Sequence, residues 1–107
     1  ATSYATTQSD FRVKKNFEDW TENVLPHFKT LQPLKFNFTQ EDDSAEKTKG
    51  YIAQDLAHCF PEAYIIKDSG EDADRYFFNP SGMVVYLMKA VQELSAEVES
   101  LKEKLNG

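Results

Sequence analysis

The sequence predicts an α+β chain: a small head of short strands and helices, followed by one long C-terminal helix that associates with copies of itself. Three observations predict it. Val84, Leu87, Val91, Leu94, Val98, Leu101 and Leu105 recur in alternating steps of three and four, which keeps one apolar seam along one side of a helix. Leu34, Phe36 and Phe38 alternate with Lys35, Asn37 and Thr39, the period of a half-buried strand. Tyr64–Ile66 and Tyr76–Phe78 flank an acidic, glycine-containing turn from Asp68 to Asp74, the pattern of a hairpin.

Taken in order, Ala1 to Gln8 is an uncharged segment rich in Thr, Ser and Ala. It reads as the end of a preceding extended or fibrous region, and the character of the chain changes at Ser9. Val24, Phe28 and Leu31 follow helical spacing with Pro26 tolerable in the first turn, and Pro33 closes the segment. The strand over 34–39 comes next. Residues 40–49 are almost wholly polar or charged and predict a solvated loop or arm. Tyr51 and Ile52 read as a short strand. Ala53, Leu56, Ala57 and Phe60 trace one face of a short helix that Pro61 stops. After the hairpin, Asn79 as N-cap with Pro80 at the first helical position gives the long helix a defined start. Tyr86 and Met88 read as packing residues within it. The expected division is therefore a stem end over 1–8, a head over 9–83 and an oligomerising helix over 84–107.

With valines at heptad position a and leucines at d, Glu97 falls at g and Lys102 at the following e, the pair that meets between parallel chains. Small Ala90 and Ser95 occupy the preceding g and e and permit close approach. Burying the seam contributes roughly 10 to 20 kcal/mol per chain before ordering entropy is subtracted, at about 1.5 to 3 for each fully buried aliphatic side chain. Branched residues at a with Leu at d lean towards two strands, but the seam alone does not settle the stoichiometry. A head this small would benefit from its partners.

Composition excludes several classes of function. Twelve Lys and Arg against eighteen Asp and Glu leave a net charge of −6. With no basic cluster, neither a nucleic acid nor an anionic membrane is expected as a partner. The single Cys59 forms no internal disulfide and reads as a small hydrophobe, buried or half-buried. No secretory signal or membrane-spanning run is evident, so folding in a reducing cytoplasm is expected. His27 and His58 are the only histidines, and with one thiol no metal site assembles. No cofactor is expected, since there is no glycine-rich phosphate loop, metal cluster or histidine triad.

The run Ser9-Asp10-Phe11-Arg12-Val13-Lys14, the block Gly50-Tyr51-Ile52-Ala53-Gln54-Asp55-Leu56 leading to Phe60-Pro61-Glu62-Ala63, and the ending Ala90-Val91-Gln92-Glu93-Leu94 resemble the C-terminal intramolecular chaperone domain of phage tailspikes, endosialidases and tail fibres. A related domain occurs in the myelin regulatory factor. The absence of a transmembrane segment favours the phage branch. The resemblance covers residues 9 to about 105. It implies a parallel trimeric coiled coil and a homotrimer that helps the upstream fibre or tailspike stem of the same polypeptide to fold. It also implies a self-cleaving serine-lysine peptidase that acts once and then leaves the fibre. Cleavage would fall between Gln8 and Ser9, with Ser9 as nucleophile and Lys14 as base, in the host bacterial cytoplasm during virion assembly.

The residues themselves bear on that chemistry. A serine hydroxyl needs a base, and with no histidine nearby in sequence a neutral lysine is the nearest candidate, Lys15 being a rival to Lys14. A lysine pKa of about 10.4 must fall for it to act near neutrality. Phe11, Val13 and Phe17 could shelter Lys14, Arg12 would push in the same direction, and Asp10 would oppose it if it came close. Asp10 and Gln54 are candidates for support of the site, although Gln54 also suits a plain role at its helix start. The serine-lysine spacing recurs at Ser44 and Lys49 inside the polar loop, so spacing alone does not identify a site. The alternative function is a trimerisation and folding clamp that does not cut, or a binding module that stays on its fibre.

Overall fold

The computed structural model describes residues 8–107. Residues 1–7 of the expected stem end over 1–8 lie outside them. A short helix α1 (Leu25–Phe28) leads to strand β1 (Leu34–Phe36), which pairs antiparallel with β2 (Thr48–Gly50). Helix α2 (Ala53–Ala57) follows, then a 3-10 turn at Pro61–Ala63, the hairpin of β3 (Tyr64–Ile66) and β4 (Tyr76–Phe78), and the long helix α3 (Pro80–Asn106). This is the α+β head and C-terminal helix that the sequence predicts. The two sheets are separate two-stranded units.

Several boundaries differ from expectation for identifiable reasons. Residues 48 and 49 belong to a strand rather than to a solvated loop, with Leu34 opposite Gly50 and Phe36 opposite Thr48. A two-stranded sheet leaves both faces of Thr48 and Lys49 wet, so no alternation marks them. The intervening turn is tied by Asn37, whose amide donates to the Ala45 carbonyl at 3.1 Å, and by Glu41, which accepts from the Phe38 N–H. Tyr51 and Ile52 are not a strand; Ile52 is the N-cap of α2. Helix α2 ends at Ala57, capped by His58, so Phe60 lies beyond it and Pro61 does not stop it; Pro61 opens the next 3-10 turn, where its missing N–H costs nothing. Asn79 caps α3 through its backbone only. Its side-chain amide instead donates to the Glu62 carbonyl at 2.9 Å, and its own N–H reaches the Ala63 carbonyl at 2.7 Å.

The core is small: Val24, Leu25, Leu56, Phe60, Ala63, Met83, Tyr86 and Ala90. Phe60 is its centre, fully buried between the rings of Phe28 and Tyr86 at centroid distances of 4.7 and 4.9 Å. Helix α3 thus packs on its own head through Met83, Tyr86 and Ala90. At about 100° per residue, that flank lies roughly a quarter-turn from the heptad seam. The seam stays exposed, from 47% at Leu87 to 86% at Leu105. Met88, expected to pack, is 63% exposed. The chain presents 9448 Å² of accessible surface, where a compact monomer of this mass exposes about 6,100 Å².

The Tyr86 hydroxyl donates to the Glu62 carboxylate. Burial, then that hydrogen bond and the adjacent negative charge, push the phenol up to about 12. The folded chain therefore holds this proton more tightly than the unfolded one. The resulting stability is present in full below pH 10 and is lost as pH rises from about 10 to 12. Tyr86→Phe is expected to cost about 1 kcal/mol at neutral pH and to flatten the alkaline arm of a denaturation series. An unchanged alkaline arm would assign that loss to another group.

Candidate active site

Ser9 and Lys14 are brought together by the four residues between them. Asp10 has extended backbone, and its carboxylate accepts the Arg12 N–H at 2.9 Å, an N-cap that starts a 3-10 turn over Phe11–Val13. The Val13 N–H to Asp10 carbonyl (3.1 Å) and Lys14 N–H to Phe11 carbonyl (3.3 Å) bonds close the turn. The Arg12 guanidinium takes both Asp10 carboxylate oxygens, Nε to Oδ1 at 2.9 Å and Nη2 to Oδ2 at 3.0 Å, a two-pronged match of planar groups. With the turn set, Lys14 Nζ donates to Ser9 Oγ at 2.6 Å. Asn16 then takes a left-handed conformation, φ 57°, and redirects the chain after Lys15.

Asp10 and Arg12 are committed to one another. The Arg12 side chain, then its N–H, holds the Asp10 carboxyl below its ordinary value, and Asp10 raises the guanidinium in turn. Their charges offset locally.

The expected apolar shelter is absent from the single chain. Phe11 and Phe17 are 77% and 74% exposed and Val13 is 54% exposed. All residues from Gln8 to Asn23 are exposed. Among the described residues, Phe11, Val13 and Phe17 take no part in the core, which gathers Val24 and Leu25 with Leu56, Phe60, Ala63 and the flank of α3. Gln54 is exposed at the second position of α2 and is not a buried polar group; no hydrogen bond joins it to Ser9. Its reading as part of the helix start fits these facts.

What anchors the dyad segment was not visible in the sequence. The Trp20 ring meets Tyr86 edge-on at 5.3 Å, and Lys89 Nζ lies 5.4 Å from the centre of the Trp20 ring. Glu93 accepts the N–H groups of Val24 and Leu25, each at 2.9 Å, and pairs with Lys89 at 3.1 Å. A carboxylate from α3 thus caps α1, satisfying N–H groups that a helix start leaves free. The Val24 N–H chiefly holds the Glu93 carboxyl below its ordinary value, with the Leu25 N–H and Lys89 adding to this against the effect of burial. That contribution is complete above the ordinary carboxylate range and is lost as pH falls through the lowered value. Glu93→Gln is expected to accelerate hydrogen exchange at Val24 and Leu25 severalfold while leaving β3 and β4 protected; uniform protection would show that the cap is not used.

Among the described residues no group of three or more His, Cys, Asp or Glu side chains is arranged to hold a metal ion. No helix among them is long and apolar enough to cross a membrane. Chemically the segment offers one hydroxyl, one amine in contact with it, and a peptide bond directly before the hydroxyl.

Comparison with curated proteins finds no match. The family model described as the chaperone of endosialidase matches residues 9–65, just over half of the chain, starting at the serine of the dyad and running through the Gly50–Leu56 block into β3. The chain therefore belongs to the chaperone of endosialidase family, Peptidase_S74, an intramolecular chaperone with a peptidase-related domain.

Proposed function

We propose that this domain forms a parallel homotrimer through the α3 seam, gathers three copies of an upstream phage fibre or tailspike stem so that they fold together, and then cuts itself off between Gln8 and Ser9. The observation that carries the reading is the 2.6 Å contact between Lys14 Nζ and Ser9 Oγ. The direction of that hydrogen bond must reverse for chemistry. A neutral amine accepts the hydroxyl proton, Ser9 Oγ bonds to the Gln8 carbonyl carbon, and the Gln8–Ser9 C–N bond breaks as the proton passes to the departing Ser9 amine. Water then hydrolyses the ester, leaving the Gln8 carboxylate and a free Ser9 N-terminus. The nucleophile is tethered beside its target, so orientation is supplied by the chain itself.

Exposure of the dyad in one chain supports a coupling between assembly and cutting. A lysine in water keeps its proton at neutral pH. Cover from neighbouring subunits over Phe11, Val13 and Phe17 would disfavour that charge and delay cleavage until the stalk has formed. The site of action is then the host bacterial cytoplasm during virion assembly. The same exposure favours one other reading, a folding clamp that never cuts and stays on its fibre.

Mass spectrometry of freshly made protein carrying its upstream stem separates the two. A fragment beginning at Ser9, absent in Ser9→Ala, supports self-cleavage. Persistent intact chain with a normally assembled stem supports the clamp. A seam variant such as Leu94→Asp, made monomeric, is expected to cut far more slowly; cutting at the wild-type rate would remove the coupling.

A further inference from the structure

Helix α3 changes character along its length. From Leu94 onward its large apolar residues, Leu94, Val98, Leu101 and Leu105, fall within an arc of about 60°, the narrow stripe of a coiled coil. Nearer the head the arc widens. Val84, Met88 and Val91 extend it to the side away from the chain's own head, and they are 48%, 63% and 64% exposed. A coiled-coil seam does not cover a band of that width.

A complementary feature stands at the same height on the other side of the seam. Phe28 of α1, Tyr51, Phe78 of β4, and Met83 and Leu87 of α3 line an apolar groove between the head and the helix. Leu87 belongs to both the groove and the seam. Met83 and Leu87 point about 90° from the centre of the Val84, Met88 and Val91 flank, with the seam between them. In a parallel, in-register bundle, equivalent residues share one level and each helix turns one flank to the neighbour on its left and the other to the neighbour on its right.

We propose that the groove is the docking site for the Val84 and Met88 flank of the next copy, so that each head is clasped by its neighbour's helix as well as by its own. The inference rests on the parallel-oligomer reading above and adds a second, head-level contact to it. It gives Tyr51, which sits in the Gly50–Leu56 block without entering the core, a partner. It also accounts for the exposure of Met88, a flexible side chain suited to filling an irregular apolar groove.

The test uses the full chain with Cys59→Ser. Tyr51→Cys with Met88→Cys, treated with a short bismaleimide, is expected to give dimer and trimer bands, whereas each single cysteine variant stays largely uncrosslinked. Leu101→Cys alone reports the seam and is expected to crosslink. Crosslinking at Leu101 without crosslinking between 51 and 88 would overturn the docking while leaving the parallel bundle standing. Failure of both, with a single-chain species in sedimentation, would overturn the oligomer and the docking together. Met88→Glu is further expected to raise the dissociation constant of the assembly by about tenfold or more, since a carboxylate would enter the groove unpaired. An unchanged constant would also count against the docking.

Discussion

Lys14→Arg is expected to leave the Gln8–Ser9 bond intact, with cleavage slowed by at least about 100-fold, the range attributed to a positioned general base. The side chains are similar in reach and both are cationic, so assembly through α3, which lies far along the chain, is expected to persist. What changes is the ability to accept a proton: guanidinium stays charged at any pH the fold tolerates. Lys15→Arg is expected to cut at close to the wild-type rate, because the 3-10 turn over Phe11–Val13 delivers Lys14 to Ser9. The check is a time course of intact and cleaved chain by mass spectrometry, run beside sedimentation to confirm equal assembly. The opposite pattern would move the role of base to Lys15.

The second large effect concerns stability. Gly82→Ala is expected to destabilise the head by about 3 kcal/mol or more, a fall in melting temperature on the order of 10 °C or more at fixed protein concentration. In an open helix the same change would stabilise by up to about 1 kcal/mol, because alanine is the better helix former. Here a Cβ on Gly82 would sit 1.7 Å from the Glu62 carbonyl oxygen and 2.5 Å from its carbon. Both are backbone atoms that cannot swing aside. To make room, α3 must retreat from the Pro61–Ala63 turn, stretching the bonds from Asn79 to the Glu62 and Ala63 carbonyls and opening the packing of Met83 on Ala63. The sign of the measured change decides the matter, since a stabilised variant would mean that α3 does not approach the head this closely.

The features legible in the sequence were local ones. The seam, the hairpin of β3 and β4 and the start of α3 at Pro80 each depend on periodicity or turn residues within a few positions. The first helix was legible but too long, because Val24 to Leu31 carries helical spacing while only Leu25–Phe28 is α-helical. The strand at Leu34 was legible, but its partner was not: Thr48 and Lys49 have no buried face to mark them. Ser9 and Lys14 stood out through resemblance, since the same spacing at Ser44 and Lys49 leads only into β2.

Sequence alone determined that this chain has a small α+β head, an apolar stripe that one chain cannot hide, an acidic balance and a serine-lysine pair beside a changed stretch of chain. Tertiary structure decided how those parts are held. Glu93 caps α1 from 69 residues away, Gly82 lies against Glu62, Trp20 rests on Tyr86, and Asp10 is bound to Arg12. The physical reason is that periodicity reports which face a residue occupies, whereas a hydrogen bond, an ion pair or a close backbone approach depends on which distant segment the fold brings against that face.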